Sequence, residues 1–427
     1  MRKYRIAFSC LIISGFICFI SSCNSSHGQW THFRGSHLNG IADAGNYPIH
    51  WSPDSNIVWK TEIHDRGWSS PVVFDDRVWL TTATKDGHEL FVVCVDFNSG
   101  KIIYDIKLFT PDSVYAKNDI NTYATPTPCI EKDFVYVHFG QYGTACLKTS
   151  DGTIVWKRTD LTCQHVQGPG SSPILYKNFL IVHLEGSDVQ HIIALNKSTG
   201  ETVWLTERPR EVYDKLEPIG RKAYITPIII NVNGKDLLIS NGSGACIAYD
   251  PVTGKEIWRI IRGEDSTISM AFFESGRLFF HSGFITEGEN NRYAELFAVN
   301  PSGTGDVTGS HVLWKIKTPI LQLSTPVIRD GLIYTVDTKS MLMCIDASTG
   351  NAVWSTKLKG VYNSSPIYAS GKIYVTSTRG ETLVFKTGKE YMKLAENKVD
   401  GEIWATPAIL RNNILIRTSR YLYKIGK

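Results

Sequence analysis

Residues 324–354, STPVIRDGLIYTVDTKSMLMCIDASTGNAVW, decide the fold. Pro326 opens a short apolar run that ends at Asp330-Gly331, a turn signal between two β-branched stretches. Ser348-Thr349-Gly350 makes a second turn, with glycine where a tight hairpin needs positive φ, and Trp354 stands four residues beyond it. The stretch reads as four short antiparallel strands and carries no helical period.

The same unit recurs along the chain. Its openings are Pro71 (SSPVV), Pro126 (ATPTP), Pro173 (SSPIL), Pro227 (ITPII), Pro326, Pro366 (SSPIY) and Pro407 (ATPAI), with Ala271 of SMAFF in the remaining slot. The turn recurs before Trp204, Trp258, Trp156 and Tyr104 as Ser198-Thr199-Gly200, Val252-Thr253-Gly254, Ser150-Asp151-Gly152 and Asn98-Ser99-Gly100. Strand repeats of about 40–50 residues indicate propeller blades, so the expected fold is all-β, an eight-bladed propeller of four-stranded antiparallel blades. The last unit supplies three strands, while an orphan strand at 56–61 carries Trp59. Joining the two closes the ring and removes both free edges. One aromatic per fourth strand (Trp59, Tyr104, Trp156, Trp204, Trp258, Trp314, Trp354 and the weaker Tyr391) is expected to wedge against the next blade.

The chain begins with Arg2, Lys3 and Arg5, followed by an apolar run from Ile6 to Ile20 and then Ser21-Ser22-Cys23. That run is shorter than a membrane span and ends at a cysteine, so residues 1–22 read as a lipoprotein signal peptide, Cys23 as the lipidation site and 23–55 as a lipidated arm before a propeller at 56–427. Losing the three leader cations brings the formal charge from +4 to about +1, which argues against nucleic acid as a partner. Of nine cysteines, Cys10 and Cys18 leave with the leader. Cys94, Cys146 and Cys344 fall in the third-strand slot that holds Ala194, Ala248 and Ala298 in other units, so small buried core residues are expected rather than disulfides.

The A/C-x-D-x-x-T-G-x-x-x-W-like turns resemble the tryptophan-docking repeats of the PQQ-like β-propeller superfamily, which includes quinoprotein dehydrogenases and the propeller lipoprotein of the outer-membrane assembly machine. The stretches WTHFRGSHLNG, WSSPVVFDDRVWLTTA and GDVTGSHVLW further resemble a secreted subfamily of Bacteroidota and Planctomycetota. The resemblance spans residues 30–427 and is specific for fold rather than function. Asn24 after the cysteine, by similarity to enterobacterial sorting, implies a periplasm-facing outer-membrane lipoprotein. Quinoprotein alcohol dehydrogenases hold their cofactor beneath an adjacent-cysteine disulfide and against calcium; no Cys-Cys pair occurs here, so neither PQQ nor a metal is expected.

Three consecutive connections, from Tyr104 to Pro126, Trp156 to Pro173 and Trp204 to Pro227, exceed the twelve-residue spacing seen from Trp314 to Pro326 and Trp354 to Pro366. They crowd one sector of one face, where binding residues concentrate. The candidates there are Tyr115, Lys117, Tyr123, Gln164, His165, Arg208, Arg210, Tyr213, Arg221 and Tyr224, with His165 as a candidate general base. Trp68, Tyr123, Tyr224 and Trp404, each three residues before an opening proline, are expected at the channel mouth. The sequence thus predicts a monomeric envelope module that binds a partner protein or a glycan. A carbohydrate-active enzyme such as a polysaccharide lyase is the alternative, and a quinoprotein oxidoreductase comes third.

Overall fold

The computed structural model describes residues 28–262, 268–288, 291–319 and 323–426. The expected leader and Cys23 lie outside the described residues. Eight antiparallel sheets follow one another around a central axis. In blade one, the strands Val72–Phe74, Arg77–Ala83, Leu90–Asp96 and Ile102–Phe109 run from the axis outward. Blade eight takes Ala408–Leu410, Asn413–Arg417 and Tyr421–Ile425 from the end of the chain and Ile57–Glu62 from its beginning. Trp59 pairs with Lys424 and Thr61 with Leu422, so the ring closes as the repeat count requires.

The expected docking of aromatics recurs from blade to blade. A small third-strand residue stands opposite the aromatic: Cys94 opposite Tyr104, Cys146 opposite Trp156, Ala248 opposite Trp258 and Cys344 opposite Trp354. A bulge follows each pair and turns the fourth strand so that its ring lies on the next blade. The indole N–H groups of Trp59, Trp156 and Trp354 donate to the carbonyls of Phe97, Lys197 and Gly388 in the following blade's turn. The turn glycine is needed for space as well as for φ, since a Cβ on Gly100 would stand 2.7 Å from the Trp59 ring. Cys94, Cys129, Cys146, Cys163, Cys246 and Cys344 are buried free thiols.

The strand ends form a second ring around the axis. In six of the eight blades the residue before the opening proline, or before Ala271 in blade five, donates its N–H to a hydroxyl oxygen of the next blade. Six such bonds, all 2.9–3.0 Å, run Ser70 to Thr127, Thr127 to Ser172, Ser172 to Thr226, Met270 to Thr325, Thr325 to Ser365 and Ser365 to Thr406. This register corrects the opening of blade two. Thr127 occupies the ring position and Cys129 is the first strand residue, so the proline that opens the blade is Pro128 and not Pro126. Two prolines in ATPTP made the register ambiguous, and the hydroxyl needed between neighbouring blades decides it.

Residues 28–51 are not a loose tether. Two positions after the opening proline, the inner strand of each blade presents backbone groups to the axis with no further strand to pair them. Trp30 pairs with Val73, the Thr31 carbonyl accepts from Ile130 N–H, His32 Nε2 accepts from Leu175 N–H, and Gly40 and Ala42 bond Tyr368. All four partners hold that same position in blades one, two, three and seven. Arg34, fully buried, donates to the carbonyls of Thr325 and Pro326 in blade six. The arm therefore closes the axial channel on the face that carries the hairpin turns.

Candidate functional site

On the opposite face, where connections pass from blade to blade, the channel opens into a funnel of about 300 Å³. Its upper wall holds Trp68, Trp404, Tyr224, Asn118, Ile120, Asn121, Gln167, Phe284 and Asn363. Deeper lie Met270 and the ring hydroxyls of Thr127, Ser172, Thr226, Thr325 and Thr406, and Phe33 of the arm reaches the funnel from the closed side. The funnel is accordingly entered from its mouth alone.

The aromatic wall is built by adjacent connections. Trp68 and Trp404 stack with ring centroids 5.5 Å apart at 18°. The Trp68 indole is fixed by donation to the Ile120 carbonyl at 3.0 Å and that of Trp404 by donation to Glu402 at 3.1 Å. Tyr224 donates to Gln167 Oε1 at 2.6 Å, and the Asn121 amide donates to the carbonyls of Gln167 and Pro169. Much of the wall's polarity is thus consumed internally, and what faces the cavity is aromatic and aliphatic surface with a few amides and hydroxyls. Among the described lining residues there is no Asp, Glu, Lys, Arg or His.

Of the sequence-predicted site, three residues meet here: Trp68, Tyr224 and Trp404. Tyr123 does not. With Pro128 as the true opening residue, Tyr123 sits five places before it, is buried against Tyr142 at 5.7 Å and donates to the Tyr115 carbonyl. Tyr115 is exposed, and Lys117 lies 5.6 Å over the Tyr123 ring. Gln164 is exposed beside Asp188, Arg210 pairs with Glu207 on the surface, and Arg221 caps the Leu216 carbonyl. None of these lines the funnel.

The largest correction concerns the residues expected to form a solvent-facing cationic and basic wall. His165 is 3% exposed, with Nε2 3.1 Å from Cys163 Sγ and its backbone N–H on Gln141. Burial, with Lys222 and His138 adding to it, holds its imidazole well below the ordinary histidine range. Arg208 is also buried, donating to Ser240 and the Ala245 carbonyl and lying 3.5 Å from the equally buried Glu185. Tyr213 is buried and donates to the Arg208 carbonyl. The second and third long connections fold partly inward, placing His165, Arg208 and Tyr213 in a polar wedge between blades two and four, whereas the first stays largely exposed over 111–120; length alone did not distinguish a wedge from a wall. His165→Ala should therefore lower stability by about 1–3 kcal/mol, since it strips a buried group from its partners; urea unfolding would measure it, and an unchanged midpoint would put the imidazole in solvent.

The residues that sequence reading missed include Phe33, Ile120, Asn121, Met270, Phe284, Asn363 and the hydroxyl ring. WTHFRGSHLNG ahead of the first strand was the available signal for Phe33, because an aromatic and basic segment there has no blade of its own to pack in.

A quinone with calcium, as the superfamily resemblance would imply, needs anionic oxygen donors for the cation. The funnel offers none among the described residues, and no cluster of three His, Cys, Asp or Glu side chains elsewhere among them could hold a metal. The described residues do not fit that pair.

A family model described as outer membrane protein assembly factor BamB matches residues 51–212, 188–305 and 295–390. Among solved structures, a quinohemoprotein alcohol dehydrogenase from Comamonas testosteroni superposes with a TM-score of 0.68 at 12% identity, covering 94% of this chain and 81% of that one. BamB from Moraxella catarrhalis gives 0.58 at 11% identity, covering 86% and 99%. A europium-containing methanol dehydrogenase gives 0.66 at 11%, covering 91% and 89%. At such identities these likenesses concern the fold. No curated protein matches the chain in sequence.

Proposed function

The chain belongs to this family of BamB-type, PQQ-like propellers, and from that premise we propose that it is a lipid-anchored binding module of the cell envelope whose funnel receives an uncharged, apolar segment of a partner protein. The observation that carries the reading is the lining: Trp68, Trp404, Phe284, Ile120 and Met270 surround a blind cavity whose described lining residues include no ionisable side chain but Tyr224. Such a cavity rewards apolar area and penalises any charge brought into it unpaired. Around the mouth, Tyr115, Ile120, Val166 and Val361 are exposed on the same connections, extending the apolar surface outward. Anchoring at Cys23 and an outer-membrane location rest on the sequence signal, and the family description accords with the location alone.

A neutral glycan is the second reading, favoured by the Trp68–Trp404 stack beside Asn118 and Gln167, since aromatic faces flanked by amides suit sugar rings. A lyase would need a titratable group facing the cavity; Tyr224 is the one such group among the described lining residues, and His165 is withdrawn from that role by its burial.

The two readings separate on immobilised panels. The soluble protein beginning after Cys23 is passed over uncharged apolar peptides, the same peptides interrupted by Asp and Lys, and neutral oligosaccharides. Binding to the uncharged peptides is expected, weakened about tenfold or more by Trp404→Ala, as for a central aromatic anchor. Retention by oligosaccharides alone would favour the glycan, and binding indifferent to Trp404→Ala would move the site off the funnel.

A further inference from the structure

The described chain begins pinned to the closed face. Gly28 donates its N–H to Asp43 Oδ2 at 3.1 Å, and its carbonyl accepts from Arg411 Nε at 2.7 Å, in the first turn of blade eight. Gln29 exchanges two hydrogen bonds with Asp75, at 3.1 and 2.8 Å, in the first turn of blade one. Both turns lie opposite the funnel mouth. Arg411 is further held by Asp76 at 3.1 Å, so this attachment point is set by several side chains rather than by one contact.

Only five positions separate Cys23 from Gly28. Even fully extended they reach about 17 Å. A strand such as Phe179–Glu185 rises about 23 Å from one face of the ring to the other, and a tether to the mouth side would also have to run outward around the blades. It is too short for that path.

The geometry points to a fixed orientation: the closed face, plugged by residues 30–42, lies toward the leaflet that carries the lipid, and the funnel mouth points away from it into the aqueous space. This rests on acylation at Cys23 as read above. It narrows the partner as well, because the apolar segment that enters the funnel then arrives from the soluble side, as an exposed stretch of a protein, and not from within the bilayer.

Energy transfer to the membrane tests it. The six described cysteines of the mature chain are buried, so a single dye can be placed at Thr349→Cys on the closed face or at Val361→Cys beside the mouth, both exposed positions. The acylated protein is bound to phosphatidylethanolamine and phosphatidylglycerol vesicles carrying a trace of headgroup-labelled acceptor. Transfer from position 349 should exceed that from 361 by at least about twofold, the faces being a strand length apart. A long glycine-serine linker inserted after His27 should bring the ratio toward one. Equal transfer from the unextended, membrane-bound protein would overturn the orientation while leaving the anchor intact. If the native protein partitions no better than Cys23→Ser, the anchor itself fails and the orientation falls with it.

Discussion

Deleting residues 56–63 should abolish cooperative folding of the ring. Strand Ile57–Glu62 pairs along Tyr421–Ile425, and without it the outer edge of blade eight is left bare, an open template for aggregation. The deletion also removes Trp59, whose indole joins blade eight to the Phe97 carbonyl of blade one, and the Lys60–Asp400 pair at 2.9 Å. Loss of a buried tryptophan alone costs about 3–5 kcal/mol, and a whole domain is stable by only about 5–15 kcal/mol. A purified deletion protein should be aggregated on size exclusion or melt without a single sharp transition. A truncated ring that melts with the full-length one would mean that closure is achieved elsewhere.

Trp258→Ala should destabilise by about 3–5 kcal/mol, the largest effect of any single docking aromatic. Trp258 is 1% exposed, packs with Ile260, Phe297 and Val307, and donates to the Pro301 carbonyl at 2.8 Å. The added strand Gly305–Asp306 lies directly alongside it, pairing Gly305 with Trp258. Trp204 provides the comparison within the same fold, because its ring is only half-buried and its indole nitrogen has no hydrogen-bond partner. Trp204→Ala should therefore cost clearly less. Equal shifts in urea midpoint would show that the docking slot, and not the local burial, sets the energy.

The fold was legible because its signals are local and repeated. A turn glycine, an aromatic four residues on and a small residue opposite it can each be read from neighbours in sequence, and five such copies identify the irregular units between them. Closure was legible because three strands at one end and an orphan strand at the other leave a single way to remove both edges. The site was less so. Trp68, Tyr224 and Trp404 were visible from their fixed distance before an opening proline, whereas Tyr123 was misplaced by the doubled proline of ATPTP. His165, Arg208 and Tyr213 look like surface residues by type, and their burial depends on partners such as Gln141, Ser240 and Glu185 that come from other strands. Phe33 was hidden for another reason. The arm has no repeat signature, and its place on the axis is set by unpaired strand edges in four separate blades.

The central claim is that a partner enters by the funnel. It is tested most directly by photo-cross-linking in cells, with benzoylphenylalanine at Ile120 on the mouth, at Thr349 on the closed face, and at Ile120 in a Trp404→Ala background. Digestion of the adducts then identifies the joined peptide. The predicted result is a discrete adduct from position 120 that maps to an uncharged apolar segment of one envelope protein, is lost with Trp404→Ala and is absent from position 349. Adducts that form from position 349, or that persist from 120 without Trp404, would contradict it.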